Sequence, residues 1–141
     1  MTKDTKNNIA DDRKIMNAVD TLKCKIYLRE DGIMCAEMKI GQDVFLEDAI
    51  EIIDAQKVVA AGIKRPLLVI SKNTKSMSRD ARNYLGGTEA EKIVNSTAVI
   101  VKTKVETAIA SFFLGLNKSK YPLKMFTSTE NGMRNFRKLW I

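Results

Sequence analysis

The stretch "CKIYLREDGIMCAEMKI", residues 24–40, decides how the fold begins. Apolar and polar residues alternate on both sides of residues 30–32, which is the pattern of two antiparallel strands joined by a tight turn. A three-residue loop pairs Arg29 with Ile33 and joins the apolar faces of the two strands, whereas a two-residue turn would mix them. The sequence therefore predicts a β-hairpin in which Gly32 adopts the left-handed conformation that such loops require.

The same register fixes which side chains share a face of the hairpin. It places Leu28 opposite Met34, and it directs Cys24 and Cys35 to opposite faces. Side chains on opposite faces of a sheet cannot form a disulfide. We therefore expect both cysteines to be reduced and to act as small packing residues.

Helical and strand patterns alternate after the hairpin. Strands separated by helices need right-handed crossovers and form a mostly parallel sheet. The predicted fold class is α/β, with a five-stranded mostly parallel sheet, an N-terminal β-hairpin and four helices in the order β-β-α-β-α-β-α-β-α. The predicted elements after the hairpin are a helix over 45–62, a strand over 65–71, a helix over 78–87, a strand over 97–102, a helix over 105–118, a strand over 121–126 and a helix over 129–141.

The chain has the length of one domain. Its 141 residues are enough for a single hydrophobic core. Residues 1–20 are polar, apart from a short helical turn expected at "IMNAV", and we expect them to form a loosely ordered extension. Residues 21–141 are predicted to form the single folded domain.

The composition argues against an enzyme. The chain has no histidine, which removes the commonest general base, the Ser-His and Cys-His nucleophile pairs and the usual zinc sites. It also has neither a G-x-S-x-G motif nor a glycine-rich phosphate loop. We therefore predict no catalytic residues, no metal and no cofactor.

The formal net charge of +7 raises the question of an acidic partner. Nucleic-acid binding rests on this charge alone, because the bases are not interleaved with aromatic residues and no helix-turn-helix pattern is present. No apolar run approaches the roughly 20 residues that span a bilayer, and the N-terminus has no signal-peptide pattern. A bacterial-type cytoplasmic domain with no transmembrane segment and no nucleic-acid partner is the expectation.

Ser78 lies where an apolar strand has ended and a short helix begins. Its side chain can act as the helix N-cap by accepting a backbone N–H. The alternative is a phosphorylation or anion site, since Lys75, Arg79 and Arg82 could add charge-assisted contacts to a phosphate at this helix terminus. The sequence leaves both interpretations open.

The helix predicted over 105–118 is apolar beyond a single stripe. Phe112, Phe113 and Leu116 share one face, while Leu114 falls on the far side. Core packing is one explanation. The alternatives are a surface for a protein partner or a homodimer, and the wall of a pocket for a small apolar or lipid-like ligand, to whose anionic group Lys118 would be suited.

The order and spacing of these elements resemble the STAS fold of bacterial anti-sigma-factor antagonists, also called the SpoIIAA-like fold, over residues 23–140. The nearer resemblance is to small single-domain bacterial STAS and CRAL-TRIO-like proteins of undefined function. It rests on "SMSRDARNYL" (76–85), "FFLGLNK" (112–118) and "LKMFTS" (123–128).

This resemblance implies a non-enzymatic regulatory or protein-interaction module. The alternative is a carrier or sensor of a small apolar or lipid-like anionic ligand. In antagonist-type STAS domains a phosphorylated serine lies at the corresponding helix N-terminus, and by spacing Ser78 matches it. Met77 and Ile70 stand where those domains have acidic residues.

Overall fold

The computed structural model describes residues 15–117, 122–131 and 133–134. Residues 129–131, 133 and 134 are helical and belong to the predicted closing helix, the rest of which lies outside the described residues. The other elements, in chain order, are β1 (Ile15–Asp20), β2 (Cys24–Arg29), β3 (Met34–Met38), β4 (Asp43–Val44), α1 (Leu46–Ala60), β5 (Arg65–Ile70), β6 (Ser76–Met77), α2 (Arg79–Leu85), α3 (Thr88–Glu91), β7 (Val94–Ile100), α4 (Lys104–Asn117) and β8 (Leu123–Phe126).

Six of these strands form one mixed sheet in the order β1-β2-β3-β5-β7-β8. The pairs β1–β2 and β2–β3 are antiparallel, whereas β3–β5, β5–β7 and β7–β8 are parallel. Strands β4 and β6 form a separate two-stranded parallel ladder. The predicted α/β class, with its mostly parallel sheet and N-terminal hairpin, is confirmed.

The sheet has one strand more than the five predicted, because β1 pairs with β2 at the edge. The ladder between them is irregular between Met16 and Val19, where Asn17 has a φ of +51°. An irregularity of this kind breaks the two-residue alternation that marks a strand in sequence. The short helical turn predicted at "IMNAV" is therefore wrong, while residues 1–14 of the predicted extension lie outside the described part of the chain.

The predicted hairpin register is confirmed. Leu28 pairs with Met34, and the backbone N–H of Arg29 donates to the carbonyl of Ile33 at 2.9 Å. Gly32 has a φ of +88°, as a three-residue loop of this type requires. The alternation of apolar residues was thus sufficient to set the pairing.

The helices keep their predicted places, with small shifts at their ends. Helix α1 is followed by two residues with positive φ, Ala61 (φ +54°) and Gly62 (φ +81°). The one-turn helix α3 was not predicted, and β7 begins at Val94 rather than at Thr97. The start of that strand was missed because the polar pair Asn95–Ser96 interrupts the apolar run from which the strand was predicted.

Each face of the sheet carries its own buried cluster. One cluster lies between the sheet and the helices, with Ile26, Met34 and Leu67 packed against Ile52 and Val59 of α1. The other is on the opposite face and includes Tyr27, Cys35, Leu68, Ile100 and Met133. A cavity can form in the first of these two interiors, between the sheet and α1.

Candidate functional site

A cavity of about 120 Å³ lies between the sheet and helices α1 and α4. Its floor is formed by side chains of β2, β3, β5, β7 and β8, and its roof by side chains of the helices. Several of the lining residues, such as Ala36, Ala90 and Ala110, are too small to fill the space between these layers. The larger apolar lining residues include Met38, Ile52, Leu67, Val69, Ile109 and Phe113.

Two threonines of this mostly apolar lining have a buried hydroxyl without a partner. Thr74 follows β5 and Thr97 lies within β7, and each residue is only 4% exposed. Neither Oγ1 atom has a hydrogen-bond partner among the described residues. Buried hydroxyls are nearly always paired, so these two are unsatisfied hydrogen-bonding groups at the border of the cavity.

Glu106, in the first turn of α4, adds a charged group to the same lining and is 2% exposed. Its Oε1 accepts the backbone N–H groups of Lys102 (2.8 Å) and Thr103 (3.2 Å), and its Oε2 accepts that of Thr74 (3.0 Å). The N–H of Glu106 donates in turn to Oγ1 of Thr103 (3.1 Å), which completes a capping box. Glu106 thereby ties the loop after β5 to the start of α4.

The predicted apolar surface on α4 is divided by the structure. Phe113 lines the cavity, while Phe112 lies beneath Arg82, whose guanidinium carbon is 4.6 Å from the ring centroid. The two rings meet edge to face at 5.8 Å. The side chains of Leu114 and Leu116, and all of Lys118, lie outside the described residues.

Ser78 is the N-cap of α2, as one of the two interpretations predicted. Its Oγ accepts the backbone N–H of Ala81 at 3.2 Å. Lys75 and Arg79 are exposed near it, but Arg82 lies over Phe112 and donates to the carbonyl of Met77 at 3.3 Å. Phosphorylation of Ser78, or anion binding there, stays a prediction.

The cysteines lie on opposite faces of the sheet, as predicted. Cys24 belongs to the cluster beneath the helices and Cys35 to the cluster on the other face. The pKa of each thiol is raised to about 12, mainly by burial, and the nearby carboxylate of Glu37 contributes to the rise at Cys24. Both are thus neutral packing groups near pH 7.

The sequence did not single out Thr74, Thr97 or Glu106. One local signal was available, because "TKVE" (103–106) has the Thr-x-x-Glu spacing of a capping box. No comparable signal marks the threonines, since their lack of partners depends on packing. Proximity across 32 residues, as between Thr74 and Glu106, becomes visible only in the folded chain.

The described part of the chain contains no group of three or more side chains suited to hold a metal ion. Within the same residues, no helix has both the length and the apolar character needed to cross a membrane. The cavity is therefore the feature on which a functional argument can be built.

Among solved structures, the chain is similar to an uncharacterised protein of the DUF3478 family with a SpoIIAA-like fold from Shewanella loihica PV-4. The two are 13% identical, with a TM-score of 0.53, and the match covers 86% of this chain and 91% of the other. At this identity the similarity shows the fold alone, and the fold is SpoIIAA-like, as the sequence resemblance predicted. Residues 26–138 match the model of a family described as a domain of unknown function (DUF7793), and the chain belongs to that family. No curated protein matches the sequence.

Proposed function

We propose that the protein is a non-enzymatic module that binds a small apolar molecule in the cavity beside α4, as its carrier or sensor. The observation that carries this proposal is the cavity itself, about 120 Å³ with a mostly apolar lining. Protein cores rarely contain voids larger than a water molecule. An apolar cavity of roughly 150 Å³ is known to hold benzene, so this one is of the right order for a single small ring or short chain.

The energetic cost of the cavity supports the proposal. By the relation found for enclosed engineered cavities, an empty void of this size costs at most on the order of 3 kcal/mol of folding free energy. Single-domain proteins have only about 5–15 kcal/mol in total. A ligand that fills the void would offset this cost, which gives its binding a direct effect on stability.

The absence of histidine supports a non-enzymatic role. The ionisable groups that line the cavity are Cys24, whose burial keeps it a neutral thiol, and Glu106, whose oxygens accept backbone N–H groups. Neither is paired with an acid–base partner of the kind that nucleophilic catalysis uses. The lining is suited to holding a molecule rather than to transforming it.

The test is to fill the cavity and to measure binding of a simple probe, toluene. Ala110 lies on α4 against the cavity and is buried, so Ala110→Leu should place three carbon atoms in the void. We expect toluene to shift the methyl NMR signals of the cavity in the wild type and to raise its melting temperature. Ala110→Leu should abolish both effects.

Ala108→Leu is the matched control, since Ala108 lies on the same helix but is exposed. It should bind toluene as the wild type does. Failure of toluene to bind the wild type at saturating aqueous concentration would contradict the proposal. So would equal binding by Ala110→Leu.

A regulatory protein-interaction module is the second candidate, supported by exposed apolar side chains near the β1–β2 turn and the start of α1. Leu22, Ile40 and Phe45 are all exposed. They lie around Lys23, whose Nζ is 5.3 Å from the Phe45 ring centroid and whose carbonyl accepts the N–H of Lys39.

Sedimentation equilibrium of the wild type and Phe45→Ser tests self-association through this surface. A wild type that stays monomeric at high concentration contradicts the homodimer form of this candidate. The cytoplasmic location stays a prediction for both.

A further inference from the structure

The polar groups of the cavity define the chemistry of its ligand, an inference that rests on the proposed function. Thr74 and Glu106 are joined by the hydrogen bond from the Thr74 N–H to Glu106 Oε2. The Thr74 hydroxyl, buried and without a partner, therefore lies beside a buried carboxylate. Thr97 offers a second unpartnered hydroxyl on the sheet floor of the same cavity.

Glu106 has capacity for one more donor. Its Oε1 already accepts two backbone N–H groups, whereas Oε2 accepts one from the described residues, the N–H of Thr74. A carboxylate oxygen accepts about two hydrogen bonds. A donor that entered the cavity at Oε2 would complete its coordination with a charge-assisted hydrogen bond.

Among the described residues, the charge that lines the cavity disfavours an anionic head group there. Of the described residues that line the cavity, none is a lysine or arginine, and Glu106 is the one that carries a carboxylate. A ligand carboxylate or phosphate would place a second negative charge in a desolvated site without a compensating base, which is strongly unfavourable. Lys118, which suggested an anionic ligand from the sequence, lies outside the described residues.

We infer that the cavity binds a small, mainly apolar molecule that carries one hydrogen-bond donor, an alcohol or an amine, with the donor directed to Glu106 and Thr74. The hydrocarbon part occupies the space among the side chains of the sheet, α1 and α4. The Thr97 hydroxyl, which can both donate and accept, provides a further contact on the floor.

The experiment compares four probes that share one ring: toluene, benzyl alcohol, benzylamine and benzoate. Binding to the full chain is measured by NMR titration or calorimetry. We expect benzyl alcohol, benzylamine or both to bind at least about fivefold more tightly than toluene, because an added hydrogen bond inside the cavity exceeds the one lost to water. Benzoate should bind at least about tenfold more weakly than benzyl alcohol.

Thr74→Val and Thr97→Val locate the donor site. Valine keeps the shape of threonine and removes a hydroxyl that has no partner, so both variants should fold normally. Thr74→Val should weaken binding of benzyl alcohol about fivefold and leave toluene within about twofold of the wild type. Thr127→Val is the control, because Thr127 is exposed and does not line the cavity.

Glu106→Gln separates the two donor classes. Loss of the charge should weaken benzylamine about tenfold and benzyl alcohol less. Should this variant fail to fold, the threonine variants still decide the question.

The outcomes distinguish a failure of the inference about the ligand's donor from a failure of the proposed function. If toluene binds and neither donor probe binds more tightly, or if benzoate binds as tightly as benzyl alcohol, the inference is overturned while the proposed function stands. A donor preference that survives Thr74→Val, Thr97→Val and Glu106→Gln overturns it as well. If none of the four probes binds, both are overturned.

Discussion

Glu106 is a carboxylate almost entirely removed from water, and its position is maintained by three backbone N–H groups. Burial of an unpaired charge is costly, but charge-assisted hydrogen bonds recover much of that cost. Two of the three donors, Lys102 and Thr103, directly precede α4, and the third is Thr74 in the loop after β5. One side chain therefore holds together two segments that border the cavity.

We predict that Glu106→Ala lowers the free energy of unfolding by roughly 2–3 kcal/mol. The substitution leaves the three N–H groups without their acceptor, and a buried donor without a partner costs about 1–3 kcal/mol. Urea denaturation followed by circular dichroism measures the change. Glu47→Ala is the control, because Glu47 is exposed in the first turn of α1 and should contribute less than about 1 kcal/mol. Equal losses in the two variants would show that burial of Glu106 is not what matters.

At the scale of the element, the β2–β3 hairpin is the part of the fold most completely set by local sequence. Its loop closes with two backbone hydrogen bonds between Arg29, Gly32 and Ile33, both 2.9 Å long. The φ of +88° at Gly32 lies where side chains with a Cβ are strained. The turn chemistry and the alternation of apolar residues thus specify the same register.

We predict that Gly32→Ala lowers the free energy of unfolding by about 1–2 kcal/mol through backbone strain. Steric overlap contributes little, since a Cβ at this position would be 4.0 Å from its nearest neighbour, Nη1 of Arg65. Glu30→Ala in the same loop is the control and should change stability by less than about 0.5 kcal/mol, because Glu30 is exposed. Thermal denaturation provides the measurement, and an unchanged Gly32→Ala melting temperature contradicts the strain argument.

At the scale of the whole molecule, the sheet separates two interiors of different character. The side beneath the helices contains the cavity and Cys24, while the other side contains Tyr27 and Cys35. Burial raises the pKa of both thiols to about 12 and also raises the pKa of Tyr27. The two thiols report separately on the integrity of the two faces.

We predict that iodoacetamide at pH 8 labels neither Cys24 nor Cys35 in the folded protein while both react in denaturant. The thiolate is the reactive form, and a pKa of about 12 leaves roughly a thousandth of the thiolate of an exposed cysteine. Intact-mass spectrometry over time measures the labelling. Rapid labelling of one cysteine in the folded state would show that its face of the sheet is open.

The same two shifts make the stability of the protein depend on pH in the alkaline range. Because the folded-state pKa of each thiol is raised, the unfolded chain loses its thiol protons first as the pH increases. The stabilisation is fully present below about pH 8.5, the ordinary pKa of a cysteine. It is then lost progressively as the pH rises towards about 12, so the free energy of unfolding should fall over that range.

Local patterns along the chain were sufficient to predict much of the fold. Alternation set the hairpin register, helical spacing located α1, α2 and α4, and Ser78 was recognisable as a cap because its contact with Ala81 spans only three residues. Strand β1 escaped prediction because its irregular ladder hides the alternation. The successful predictions share one reason, namely that each depends on contacts close in sequence or on a periodicity that a few residues can display.

The sequence by itself determined the class of fold, the opposite orientations of Cys24 and Cys35 and the absence of histidine chemistry. Only the tertiary structure decided that a cavity exists, that two of its threonines have unpaired buried hydroxyls and that Glu106 accounts for the negative charge of its described lining. A void depends on how the volumes of distant side chains add up between sheet and helices. The periodicity of the sequence does not reveal this total volume. The residues concerned extend from Cys24 to Leu123 and meet only after the strands have paired.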